Sequence, residues 1–183
     1  MLRNLLVALT VILVAWPMPS LGQSVCGPRV KVDYYEDAPS DYFVIQNLSP
    51  DGWSIQQLIV DLKSSRGNLI FDTAAGGAGA SSYEPFRSAA GRVQLSGVRG
   101  GEDGAQFITL DFSGFLAGEK SSFLIDLDDR LPKSLNGPSH VAGSEILGAE
   151  AQALLKGPTG QMVSLTAKFD NIATADTGIG GCV

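Results

Sequence analysis

The feature that most constrains the fold is an alternation of apolar and polar side chains that recurs along most of the chain. It is clear in residues 30–35 (VKVDYY) and again in residues 92–98 and 106–112. Successive side chains of a β-strand point to opposite faces, so each such segment is expected to bury one face of a sheet. Strands are therefore expected over residues 30–35, 42–46, 53–55, 58–62, 68–72, 92–98, 106–112, 122–128 and 161–169.

The spacing of these segments indicates the fold class. Clusters of Gly, Pro, Asn, Asp and Ser separate them at intervals of roughly 10–15 residues, which is typical of an antiparallel sandwich or barrel. A chain of 183 residues, 44% of them hydrophobic, can form one domain with one core and argues against disorder. We therefore predict an all-β protein, a single antiparallel β-sandwich of jelly-roll-like form, in which the Gly-rich residues 76–82 form a surface loop.

Residues 144–155 (SEILGAEAQALL) are open to two interpretations. Their Ala and Leu content suits one short helix, although a glycine such as Gly148 weakens a helix by about 1 kcal/mol relative to alanine. Placed in a strand, Ala149, Ala151 and Ala153 share one face and the polar side chains between them share the other. The alternation favours the strand.

The N-terminal segment has the pattern of a secretory signal. Arg3 precedes a twelve-residue apolar run, residues 5–16, which is followed by prolines and by the small residue Gly22. The run is shorter than the roughly 20 residues that a membrane-spanning helix needs. We predict a signal peptide over residues 1–22, a mature domain over residues 23–183 without a transmembrane span, and secretion to an extracellular or periplasmic location. An uncleaved anchor and lipid attachment at Cys26 are the alternatives.

The two cysteines, Cys26 and Cys182, flank the predicted mature domain. Because secreted chains meet an oxidising environment, we predict a disulfide between them. Free thiols or bridges between chains are the alternatives. The sequence contains no Cys-x-x-Cys pair, which argues against a redox-catalytic role.

Charge and histidine content exclude several classes of function. The chain has 13 Lys and Arg against 19 Asp and Glu, a net charge of -6, which argues against a nucleic-acid partner. The single histidine, His140, excludes a His-rich zinc site, and a Ser-His-Asp triad would depend on it alone. It lies beside Ser139 in a loop rich in Pro and Gly, where a surface position is favoured, so catalysis is not expected.

The candidate site is a group of acidic residues near the middle of the chain. Asp126 and Asp128 are expected on the same face of one strand, where their charges repel each other unless a cation lies between them. Calcium binds about six to eight oxygen ligands from carboxylates and carbonyl groups. Glu119, Asp129 and Glu145 are candidates for further ligands. The alternatives are a solvated acidic strand end or ion pairs with nearby Lys and Arg.

Two further functions use the same types of residue. A glycoside hydrolase needs two carboxyl groups across a sugar cleft, and Asp126 and Asp128 are the available pair, although no other catalytic signature accompanies them. A carbohydrate-binding module needs an aromatic face, although packing in the core or over strand edges is favoured for these rings. The candidates for such a face are Tyr34, Tyr35, Tyr42, Trp53 and Tyr83.

Three segments, residues 111–119 (DFSGFLAGE), 123–128 (FLIDLD) and 141–150 (VAGSEILGAE), resemble a family of secreted bacterial β-sandwich proteins. This is the family labelled aggregation factor core protein, after the sponge adhesion proteoglycan, and the similarity spans about residues 40–155. Sponge aggregation factors assemble in a calcium-dependent way and mediate cell adhesion through glycans. The resemblance implies that Asp126 and Asp128 are the first candidates for contact with a cation.

These observations together predict a secreted, non-catalytic binding or adhesion domain that is stabilised by calcium. Its expected partner is a glycan or a cell-surface or extracellular protein. A carbohydrate-binding module is the first alternative, and a glycoside hydrolase is the second.

Overall fold

A computed structural model describes residues 27–37, 41–80, 82–89, 91–133 and 137–178. The predicted signal peptide, residues 1–22, and the predicted Cys26–Cys182 disulfide lie outside these residues. The described part of the chain forms strands and turns without a helix, and so contains no helix that could cross a membrane.

Twelve strands follow one another along the described chain. They are β1 (Val30–Tyr35), β2 (Tyr42–Asn47), β3 (Ser54–Asp61), β4 (Ile70–Asp72), β5 (Arg87–Ser88), β6 (Gln94–Gly100), β7 (Phe107–Leu116), β8 (Lys120–Leu124), β9 (Asp126–Asp128), β10 (Glu150–Lys156), β11 (Met162–Lys168) and β12 (Thr174–Asp176).

The strands form two five-stranded sheets and one two-stranded ribbon. The order in the first sheet is β12-β1-β2-β8-β5, the order in the second is β11-β10-β3-β7-β6, and β4 pairs with β9 in the ribbon. The strand pairings within the sheets and the ribbon are antiparallel. The two sheets pack face to face, so the prediction of an all-β antiparallel sandwich is confirmed.

The alternation seen in the sequence places apolar side chains between the sheets. In β2, Phe43 and Ile45 are fully buried while their neighbours along the strand are only half-buried. The ring of Phe43 stacks on that of Phe123 with the centroids 4.8 Å apart, and it also packs against Tyr34 and Phe169. This aromatic cluster joins strands of the first sheet to the chain that follows β11.

One long ribbon passes from the first sheet to the second, as in a jelly roll. Strands β2 and β3 pair with β8 and β7 respectively, and hydrogen bonds continue through the corner between the sheets. The buried Asn47 holds this corner, because its carbonyl accepts from the amide of Gly118 and its side-chain nitrogen donates to the carbonyl of Phe115. The ribbon thereby fixes how the two sheets face each other.

Residues 144–155 contain a strand and not a helix. The strand is β10, Glu150–Lys156, and it pairs with both β3 and β11. It is preceded by turns in which Gly148 has a φ of 90°, and a Cβ there would lie 2.7 Å from the carbonyl oxygen of Ser64. The short-helix alternative is therefore wrong, because Gly148 occupies a backbone conformation that a right-handed helix excludes.

Candidate metal centre

The ribbon of β4 and β9 brings three aspartates together. Asp72 lies directly opposite Asp126, and Asp128 follows two residues later, so their side chains share one face. The alternate residues, Phe71 and Leu127, are buried in the core. The packing of these two apolar side chains therefore fixes the ribbon and sets the positions of the three carboxylates.

The three carboxylates are close together and almost completely buried. One oxygen from each lies within 4.8 Å of the others, and the exposed fractions of Asp72, Asp126 and Asp128 are 0%, 4% and 1%. Both oxygens of Asp72 and one oxygen of each of the others are buried without a hydrogen-bond partner. In the described part of the chain, no Lys or Arg forms an ion pair with them. Buried charge without a partner is strongly unfavourable. If these carboxylates are ionised, they therefore need a positive group that the described side chains do not supply.

The Gly-rich loop between β4 and β5 covers the cluster. The amide of Ala80 donates to a carboxylate oxygen of Asp128, and a Cβ at Gly79 would collide with the carboxylates of Asp72 and Asp128. Asp103 holds the same loop, because its carboxylate accepts from the amides of Thr73 and Ala78 at 3.2 and 2.6 Å. The surface loop expected from the sequence is thus the lid of the acidic cluster.

Burial and mutual repulsion raise the pKa values within the cluster. Burial, with the neighbouring Asp103 and Asp128, raises the pKa of Asp72 to about 7. Burial and the charge of Asp128 raise the pKa of Asp126 to about 7, and burial also raises the pKa of Asp128. Near neutral pH, ionisation of both Asp72 and Asp126 beside Asp128 is therefore unfavourable unless something compensates their charge.

Another buried carboxylate near the cluster, that of Asp41, has hydrogen-bond partners. The Asp41 carboxylate accepts from the hydroxyl of Tyr34 at 2.9 Å and from the amide of Leu127 at 3.1 Å. Burial and the neighbouring Glu36 raise the pKa of Asp41 to about 9, which favours its neutral form at pH 7. Asp41 is thus accommodated by protonation and hydrogen bonds, in contrast to the unpartnered oxygens of Asp72.

The structure brings together only part of the predicted ligand set. Asp126 and Asp128 lie in the cluster, whereas Glu119 lies at the opposite end of β8 and accepts from the amide of Leu116. Asp129 is not a member of the cluster: one of its carboxylate oxygens accepts from the amide of Leu131, and the other is buried without a hydrogen-bond partner. Glu145 is buried but accepts from the amide of Ala142 in its own turn.

Sequence reasoning missed Asp72. The signal was present, since Asp72 ends the predicted strand of residues 68–72 after two buried apolar residues. What was lacking was its pairing with β9, which no local pattern in the sequence indicates.

The residues proposed for the alternative functions are dispersed. Tyr34 is buried, and Tyr35 stacks on Tyr42 with the centroids 4.8 Å apart at one end of the first sheet. Trp53 packs against the core, while Tyr83 is exposed on a loop. The five rings therefore do not form one continuous face.

The surroundings of the acidic residues also bear on catalysis. Asp126 and Asp128, the pair considered for glycoside hydrolysis, are buried beneath the Gly-rich loop. His140 is half-exposed and its Nδ1 contacts a carboxylate oxygen of Glu36 at 3.2 Å.

Comparisons with protein-family models, with curated proteins and with solved structures give no match for this chain.

Proposed function

We propose that this protein is a secreted, non-catalytic binding or adhesion domain, and that Asp72, Asp126 and Asp128 hold a structural calcium ion. The observation that carries the proposal is the convergence of three almost fully buried carboxylates, in which both oxygens of Asp72 and one oxygen each of Asp126 and Asp128 lack hydrogen-bond partners. A divalent cation would satisfy these oxygens and compensate their charge at once. Protonation compensates the charge but adds only one donor for each carboxyl group.

The donor set favours calcium over transition metals. The cluster consists of carboxylates alone, and hard oxygen ligands suit calcium or magnesium, whereas zinc sites usually include His or Cys. Calcium tolerates irregular sets of about six to eight ligands, and magnesium requires near-octahedral geometry with several retained waters. A buried cluster covered by peptide groups suits the cation that gives up its waters more readily.

Burial also indicates what the ion does. With exposed fractions of 0–4%, the three carboxylates leave no open face for a sugar hydroxyl or a partner's side chain. The ion would instead join β4 and β9 to the loop that covers them, and its role is to stabilise the fold. Contact with a glycan or an extracellular protein is then made elsewhere on the surface, as the resemblance to the aggregation factor core family implies.

A carbohydrate-binding module is the second candidate, favoured by Tyr35 and Tyr42. Their rings stack across β1 and β2, and Tyr35 is 44% exposed. The pairing of β12 with β1 reaches only from Lys31 to Asp33, so no strand residue lies opposite Tyr35 on that side. An open tyrosine ring of this kind is a stacking surface for a sugar.

Calorimetric titration tests the proposed metal site. We expect the protein to bind one calcium ion per chain, more tightly than magnesium. Asp128→Ala should abolish the binding, because it removes one of the three carboxylate ligands. Glu119→Gln is the matched control, because Glu119 lies at the far end of β8 and should leave binding unchanged.

The proposed site would be refuted by an absence of calcium binding at millimolar concentrations. Equal binding by Asp128→Ala and by the unaltered protein would refute it as well. A glycan array screened with the calcium-loaded protein and with Tyr35→Ala separates the two candidate functions. Only a carbohydrate-binding module that uses the tyrosine pair would lose glycan signals in this variant.

A further inference from the structure

Strand β11 forms an open edge of the second sheet. It pairs with β10 on one side, and in the described part of the chain no strand and no backbone hydrogen bond reaches it from the other side. Its residues keep one continuous register with β10, whereas β6, at the opposite edge, has a register shift between Leu95 and Gly97. Irregularities of that kind protect an edge strand from pairing with another chain. Strand β11 lacks this protection.

The backbone of β11 directs a row of hydrogen-bonding groups out of the sandwich. Beyond one end of the strand, the amide of Phe169 donates to the carbonyl of Ala149 at 2.8 Å. Beyond the other end, the amide of Gly157 donates to the carbonyl of Gln161, also at 2.8 Å. Hydrogen-bonded and non-hydrogen-bonded pairs alternate along an antiparallel ladder, so the odd-numbered residues of β11 bond to β10. The amides and carbonyls that point away from β10 are those of the even-numbered residues, Met162, Ser164, Thr166 and Lys168.

The side chains of β11 are incompletely covered as well. Leu165 and Ala167 pack against the core but remain partly exposed, and Met162 is 51% exposed. The strand carries one charge, on its last residue, Lys168, whose Nζ lies 3.7 Å from a carboxylate oxygen of Glu150 on β10. A regular edge strand that is rich in apolar residues and charged at only one end is a template for pairing with another strand.

We propose that two copies of this protein pair through β11, antiparallel and about a two-fold axis at Leu165. The strand overlaps along its full length in this register, in which Ser164 of each copy lies opposite Thr166 of the other. The outward amides and carbonyls of the two copies then face each other, as an antiparallel ladder requires. Ser–Thr pairs across strands are favourable, and the two Lys168 residues lie opposite Met162 at the two ends of the pairing, roughly 20 Å apart.

Sedimentation velocity over a range of protein concentrations tests the proposal, with calcium and with chelator. We expect a monomer–dimer equilibrium in both conditions, because β11 shares no residue with the aspartate cluster. A dimer in chelator separates this result from a failure of the metal site. In the dimer, the amides of Ser164 and Thr166 should exchange hydrogen more slowly than in the monomer.

Charge variants test the register. Ser164→Lys/Thr166→Lys places like charges opposite each other at two pairs of the dimer and should weaken it roughly tenfold. Ser164→Glu/Thr166→Glu should weaken it in the same way. An equimolar mixture of the two variants should restore the dimer, because each pair then joins opposite charges. Recovery in the mixture also shows that both variants fold.

The matched control lies on the other edge strand of the same sheet. Gln94 and Ser96 are exposed polar residues of β6, spaced like Ser164 and Thr166. Gln94→Lys/Ser96→Lys should leave the dimer unchanged, because it adds the same charge away from the proposed interface.

Four results would overturn the proposal. The first two are a protein that stays monomeric at millimolar concentration and a dimer that the lysine variant of β11 leaves as stable as before. The third is a mixture of the two folded β11 variants that does not recover the dimer. The fourth is slow hydrogen exchange at Ser164 and Thr166 in a monomer, which would show that another part of the same chain covers the strand.

Discussion

Asp72→Asn should raise the stability of the calcium-free protein at pH 8 and abolish its response to calcium. The pKa of Asp72 is raised from 3.8 to about 7 in the folded chain. A raised folded-state pKa contributes stability that is fully present below about pH 4 and is lost as the pH rises through about 7. Asparagine cannot ionise. The free energy of unfolding of Asp72→Asn, relative to that of the unaltered protein, should therefore rise by about 2–4 kcal/mol as the pH increases from about 4 to about 7, and the gain should persist at pH 8.

With saturating calcium at pH 8, the unaltered protein should be more stable than Asp72→Asn. A ligand present at a thousand times its dissociation constant stabilises the folded state by about 4 kcal/mol, and Asp72→Asn lacks a ligand for the ion. Thermal unfolding of both proteins at pH 5 and pH 8, with calcium and then with chelator, measures the effect. Asp51→Asn is the control, because Asp51 is exposed in the turn between β2 and β3.

The comparison between variant and unaltered protein removes the contributions of titrating groups outside the cluster, and it includes the lower pKa of Asp126 that follows from losing the Asp72 charge. Asp111 and Asp176 have lowered pKa values through hydrogen bonds with Gln57 and Arg29 respectively, and their contributions run in the opposite direction with pH. These contributions are common to both proteins and cancel in the difference. The account would be wrong if calcium raised the unfolding temperature of Asp72→Asn as much as that of the unaltered protein.

Phe43→Ala should be among the most destabilising single substitutions in the protein. The side chain is fully buried and its ring packs against those of Tyr34, Phe123 and Phe169. Truncating a buried phenylalanine to alanine typically costs about 3–5 kcal/mol through lost burial and the cavity that remains. Chemical denaturation with urea measures the loss as a lower midpoint at an unchanged slope.

Phe107→Ala is the matched control for this substitution. Phe107 begins β7 and is 52% exposed, so the same change should alter the free energy of unfolding by about 0.5 kcal/mol or less. Equal losses for the two variants would show that the aromatic cluster at Phe43 is not the centre of the core.

The strands were predictable where alternation is long enough to be seen. In β1 and β7, apolar and polar residues alternate over several positions, because one face packs into the core and the other carries polar side chains, of which Asp33 and Thr109 are also buried. Strands β5 and β12 have two and three residues, too few for a period to show, and were missed. Gly148 resolved the ambiguity in residues 144–155 through its left-handed backbone, which sequence composition alone does not reveal.

The candidate site was predictable only within one strand. The two-residue spacing of Asp126 and Asp128 placed them on one face, and β9 has that geometry. Asp72 and the covering residue Gly79 come from segments about 50 residues away in the sequence, and only the pairing of β4 with β9 brings them there. Such pairings depend on how the whole sandwich closes, which is why Glu119 and Asp129, near in sequence, were chosen instead.

A crystal structure of the protein grown in millimolar calcium, with anomalous data, tests the central claim most directly. The account predicts an anomalous peak among Asp72, Asp126 and Asp128, with carboxylate oxygens about 2.3–2.6 Å from it. Ordered carboxylates without a peak, hydrogen-bonded to one another or to water, would show that protonation satisfies this cluster and would contradict the account.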